Sequence, residues 1–180
     1  MSRAPPTRIR EHVDQALAAI ERSLGVSPDL TPETLGLLDA YVAGAKNSLD
    51  RVQDLVAAIA GCYFGEVVRR RFGGWWVLDG EAPAGWRVEL ESCYLVFFPV
   101  GMAAEILRRS EVAGYDGTFS TFAEDEPDLQ AALTEVRVTE DEYYSFTGRI
   151  DTIERTVNWL VATRKKEGRM RVYTPGDYTA

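Results

Sequence analysis

The chain has one histidine, two cysteines and no apolar run near the ~20 residues of a membrane span. These shortages remove several classes of protein at the outset. His12 stands beside Glu11 and far along the chain from any nucleophile, so neither a Ser-His-Asp nor a Cys-His arrangement has a ready base. Zinc sites built from cysteine and histidine need more of both than are present. Cys62 and Cys93 lie inside apolar stretches on different elements, which fits reduced core thiols rather than a disulfide. No glycine-rich phosphate loop is found: Gly73-Gly74 follows a helical pattern and precedes a strand, the reverse of the order such loops require. The acidic run Glu124–Asp128 is too short for a calcium loop and is interrupted by Pro127. No metal and no cofactor is therefore expected.

Positive charge is also short. A net charge of −8 with a pI near 4.8 disfavours phosphate backbones, so a nucleic acid is not an expected partner, and a basic protein is. Arginine far outnumbers lysine and alanine is abundant, a bias typical of GC-rich bacterial genomes. Met1–Pro6 carries its charge without an apolar core behind it, which is not the pattern of a signal peptide, and a cytoplasmic location is expected.

What is present is a soluble-protein composition, 46% hydrophobic and 27% charged, over 180 residues, the size of one domain with a substantial core. Ile9, Val13, Leu17, Ile20 and Leu24 recur at helical spacing and stop at Gly25. Thr31-Pro32-Glu33 is a start signal for a second helix bearing Leu35, Leu38, Tyr41 and Val42. Residues 1–47 are open to being a helical-hairpin extension of the domain. A third helix is expected from Asn47 or Ser48 to Phe72, with Val52, Leu55, Val56, Ile59, Cys62 and Tyr63 as its buried stripe.

The period then changes. Trp75–Leu78, the alternating Trp86–Leu90 and the apolar run Cys93–Phe98 read as an antiparallel meander of about three strands, with Thr118–Phe122 able to add a short edge strand. Helices follow from Met102 to Arg109, behind the acidic start Glu124–Pro127 with Leu129, Leu133 and Val136, and from a capping box at Thr139–Glu142 through to Gly168. The fold class is α+β: a helical N-terminal half, a small antiparallel sheet, and C-terminal helices packed over it.

Among candidate functional residues, Glu66 stands out because it projects near the apolar face of the third helix, where a carboxylate requires a partner. Arg70, four residues on, is the expected one. The pair has two readings, a structural link at the core's rim or a ligand-binding carboxylate. Gly61 and Gly65 each weaken a helix by about 1 kcal/mol relative to alanine, which close packing of another backbone would offset. Arg69-Arg70-Arg71 is a basic helix end, solvated or anion-binding. Trp75, Trp76 and Trp86 crowd two adjacent strands, so at least one points away from the main core, either onto covering helices or into a binding surface. Tyr144 and the acidic residues Glu124, Asp125, Glu126 and Asp128 are the remaining surface candidates.

Gly61-x-Tyr63-x-Gly65-Glu66-Val67 followed by Gly73-Gly74-x-Trp76 resembles a pattern in small uncharacterised bacterial α+β proteins, domains of unknown function, some in settings that suggest immunity or regulatory roles. Pro99–Glu105 and Tyr143-Tyr144-Ser145 are compatible with the same group. The resemblance implies a fold type and supplies no catalytic residue. The expected function is a non-enzymatic protein-binding module, immunity- or regulator-like. The alternative is an enzyme or small-molecule binder with a cleft around Glu66, Arg70 and a nearby tryptophan.

Overall fold

The computed structural model describes residues 4–178. Its order is α1 (Thr7–Leu24), α2 (Leu35–Ala45), α3 (Asp50–Phe72), β1 (Gly74–Leu78), β2 (Trp86–Leu90), β3 (Val96–Phe97), α4 (Pro99–Arg108), β4 (Phe119–Ser120), α5 (Glu126–Thr134), α6 (Glu140–Tyr143) and α7 (Phe146–Lys166). The four strands form one antiparallel sheet in sequence order, and helices stand on either side of it in the chain. The α+β class is therefore observed, with β4 added at the expected edge position.

α3 organises the molecule. Its residues from Val56 to Arg69 are buried all round, not along one stripe, because α1, α2 and α4 pack against it and β1 and β2 close another side. A helix covered on every side needs apolar or small residues throughout. Ala57, Ala58 and Ala60 with Gly61 and Gly65 supply them. A Cβ on Gly61 would lie 2.5 Å from the Cα of Val100, so α3 and α4 meet backbone to backbone as the glycines require. Gly65 makes room for the Trp76 ring and Pro99. The first turns of α3 and its last, from Arg70, escape this cover. Val52 and Leu55, expected in the buried stripe, are 39% and 54% exposed.

Several boundaries differ from the periodicity, each for a local reason. Thr31-Pro32 opens a 3-10 turn, Pro32–Thr34, that leads directly into α2; the Thr31 hydroxyl donates to the Asp29 carboxylate at 2.6 Å and makes no cap bond. α4 starts at Pro99, since proline's missing N–H is harmless at the first helical position. Of the run Cys93–Phe98 only Val96–Phe97 is strand. At the turn before it, the Tyr178 hydroxyl accepts from the Leu95 N–H and donates to the carbonyls of Leu90 and Cys93, replacing ladder bonds with a side chain.

The capping box forms as expected, Thr139 with Glu142, but it caps only the short α6. Ser145 then caps a separate α7 by accepting from the Gly148 N–H at 3.0 Å. The Asp39 carboxylate of α2 takes the Phe146 N–H at 2.6 Å. α5 ends at Thr134, leaving Val136 beyond it and 41% exposed.

The two faces of the sheet are covered differently. Trp86, Val88 and Leu90 point into the main core with Trp76, and the His12 ring meets Trp86 edge-on at 5.3 Å. Trp75 points the other way, into a second cluster with Tyr173 and Tyr178 of the C-terminal tail. α1 and α2 contribute Ile9, Val13, Leu35 and Leu38 to the main core. Cys62 and Cys93 are free thiols, both buried. Burial pushes the Cys93 thiol up to about 12 and raises that of Cys62 as well.

Candidate functional site

Glu66 is 1% exposed, so it requires a partner, but that partner is Arg69 and not Arg70. The Arg69 guanidinium donates to both carboxylate oxygens across one helical turn, while Arg70 lies on the exposed side of α3. Three residues in place of four follows coverage: Arg69 is buried with Glu66, and Arg70 is not. The cleft of the enzyme alternative, with Glu66, Arg70 and a tryptophan on its wall, is not assembled. Glu66 is sealed from solvent, and Arg70 projects away from it.

The tryptophans are also withdrawn. Trp75 is 8% exposed, and its indole N–H donates to Glu89 at 2.7 Å. Arg87 neutralises that same carboxylate at 2.9 Å. Trp86 is 1% exposed.

The acidic stretch is divided. Asp125 is buried against Arg164, which also bonds Glu167 at 2.9 Å and approaches Glu124 at 3.5 Å. Burial raises the Asp125 carboxyl above the usual range, with Arg164 pulling the other way. Glu126 and Asp128 alone of the expected acidic residues combine exposure with the first turn of a helix. Tyr144 is half-buried beneath the Arg109 guanidinium, 5.4 Å from its ring centre. Its neighbour Tyr143 is the exposed one.

One surface that remains open is apolar and helical. Leu24 and Val26 at the end of α1, and Leu49, Val52 and Leu55 at the start of α3, are between 38% and 67% exposed. Leu24 and Val52 line a groove of about 370 Å³ whose walls also include Ala40, Tyr41, Gly44 and Val56. Leu49, Val52 and Leu55 recur every three residues, a spacing visible in the sequence. Nothing in one chain's periodicity says which end of a stripe its neighbours leave uncovered.

Two of the larger clefts elsewhere are lined in part by arginines. One, of about 800 Å³, is lined by Phe122, Glu124, Arg164, Arg169, Arg171 and Tyr173. Its arginines are matched internally, Arg164 by Asp125, Arg169 by Glu124 at 3.7 Å and Arg171 by Asp177 at 3.2 Å. The other, about 440 Å³, runs between α5 and α7.

Among the described residues no group of histidine, cysteine and carboxylate side chains is placed to hold a metal ion, and no helix is long and apolar enough to cross a membrane. No protein-family model matches the chain, and neither a curated protein nor a solved structure matches it.

Proposed function

We propose that the chain is a protein-binding module whose contact face is the apolar edge made by the end of α1, the groove beside α2 and the first turns of α3. One observation carries this reading. Five large aliphatic side chains stay exposed at the end of α1 and the start of α3, two of them, Leu24 and Val52, lining one groove, whereas all three tryptophans of the sheet are packed away. Burying a leucine or valine side chain against a partner contributes about 1.5–3 kcal/mol each, so a few of these contacts suffice for a specific complex. The net charge of −8 favours encounter with a basic partner, which is the chemistry of an immunity- or regulator-like role. The occupant is an apolar segment of another protein, seated with one side chain in the groove near Tyr41.

The test is site-specific photo-crosslinking in cells that carry the gene naturally. A photoreactive residue at Leu49 is expected to trap one defined protein. The same residue at Val172, which is 73% exposed on the C-terminal tail, traps none. Equal labelling from both sites, or adducts only between two copies of this chain, would overturn the proposal.

A further inference from the structure

The cleft between α5 and α7 carries a ligand reading that the apolar face does not touch. Arg149 of α7 is 8% exposed. Its terminal nitrogens are engaged, one with Glu105 at 2.9 Å and one with the Gly117 carbonyl at 3.3 Å. Its Nε–H is buried and meets no acceptor among the described residues. Gly117 packs closely on this pair, since a Cβ there would overlap the Glu105 carboxyl unless that side chain moved. The Tyr143 ring lies over the same guanidinium at 4.1 Å, holding it flat at the cleft wall.

Six residues further along α7, the half-buried Arg155 lines the same cleft, and among the described residues it makes neither a hydrogen bond nor an ion pair. Glu142, in the adjoining hollow, is bonded to Thr139 and interacts with the Arg155 charge through space, and Arg137 and Asp151 flank that hollow with opposite charges. Between the two arginines, Thr152 stands on α7. Across from them, Phe119, Leu133 and Val138 form an apolar wall.

A buried donor without an acceptor, a second guanidinium with no hydrogen bond or ion pair among the described residues, and an apolar wall in a cavity of about 440 Å³ together have the make-up of a small-molecule site. The larger arginine cleft differs because each of its arginines has an ion pair, whereas Arg155 has none among the described residues. We propose that the α5–α7 cleft binds a small organic carboxylate, its charged group between Arg149 Nε and Arg155 and its apolar body against Phe119, Leu133 and Val138. Guanidinium–carboxylate bonds are short and charge-assisted, so the anion is required for recognition, and a neutral analogue of the same shape lacks the contact.

The experiment titrates the full chain with phenylacetate, with phenylacetamide and with inorganic phosphate, following backbone amide shifts by NMR. Phenylacetate is expected to give saturable shifts at Thr118, Leu133 and Thr152, and the amide to bind about tenfold more weakly or worse. Arg155→Gln is expected to weaken phenylacetate by about tenfold with little change in melting temperature, because that side chain makes no hydrogen bond or ion pair among the described residues. Val138→Asp, at a 41% exposed position, is expected to weaken it as well. The proposal falls if no shift saturates, if the amide matches the acid, or if Arg155→Gln binds as the parent does. It falls equally if inorganic phosphate produces the same shifts, which would mean an adventitious ion only.

Discussion

Gly61→Ala and Gly44→Ala are chemically the same substitution inside helices, and the structure assigns them opposite signs. At Gly44 nothing lies within 4 Å of a new Cβ, and the position is exposed on α2. Alanine there gains helix propensity of about 1 kcal/mol at most and meets no clash. At Gly61 the new carbon would stand 2.5 Å from Val100 Cα and 2.7 Å from both the Val100 nitrogen and the Pro99 carbonyl oxygen. Carbon atoms rest at about 3.5–4.0 Å, so α3 and α4 must separate by roughly 1 Å. All three neighbours are backbone, and backbone cannot rotate away. Overpacking costs about 1–3 kcal/mol, and the rigid contact places this case near the upper end. After the propensity gain, a net loss of about 2 kcal/mol remains. For a chain of this size each kcal/mol moves the melting temperature by about 2–4 °C. Gly61→Ala is therefore expected to melt ~4–8 °C below the parent, and Gly44→Ala ~2–4 °C above it. Urea titrations of the three proteins side by side give the same differences as midpoints at constant slope. A Gly61→Ala protein as stable as the parent would refute the backbone-to-backbone packing of α3 on α4.

Other substitutions test the ion pairs and the thiols. Glu66→Gln is expected to destabilise by about 3 kcal/mol, because breaking one side of a buried pair strands the other, and Arg70→Ala to stay within about 0.5 kcal/mol; equal effects would restore the Glu66–Arg70 pairing. Asp125→Asn should lose about 2 kcal/mol through the Arg164 bond whereas Glu126→Gln is neutral, measured as urea midpoints. Burial raises the Glu105 carboxyl above its ordinary 4.5, so the folded chain holds that proton more tightly than the unfolded one. Its contribution to stability is then full below 4.5 and is lost as pH rises through the raised value. Glu105→Gln should flatten that part of the stability–pH curve relative to the parent, beyond any uniform offset. Neither Cys62 nor Cys93 should react with a thiol reagent in the native protein, and both should react in denaturant; labelling of either in the folded state would contradict the core packing.

The sequence carries local devices plainly and coverage hardly at all. Gly25 and Gly73 stop helices, Thr139 and Glu142 form their box, and Trp86, Val88 and Leu90 share one buried face, because each depends on neighbours a few residues away. The unforeseen features depend on distant chain. Tyr178 shapes the turn before β3 from 83 residues further along. Arg164 buries Asp125 from 39 residues away, turning an expected surface charge into an internal link. Glu66 chooses Arg69 over Arg70 because of what packs around α3, although both spacings suit a helix. For the same reason Val52 and Leu55 look like core residues in the sequence and stand uncovered in the fold. The apolar face and the Arg149–Arg155 cleft both arise where one element fails to cover another, which periodicity along a single chain does not encode.

The central claim is that recognition runs through the apolar edge and not through the acidic surface. The direct measurement is the affinity for the protein trapped at Leu49, compared between a Leu49→Asp/Leu55→Asp double variant and a Glu126→Gln/Asp128→Asn double variant. Two lost apolar anchors of at least 1.4 kcal/mol each predict a fall of about a hundredfold or more for the first, with an unchanged melting temperature. The second is expected to keep its dissociation rate and to lose only association rate, most visibly at low salt. Undiminished binding by the aspartate variant, together with loss of binding on neutralising Glu126 and Asp128, would contradict the account.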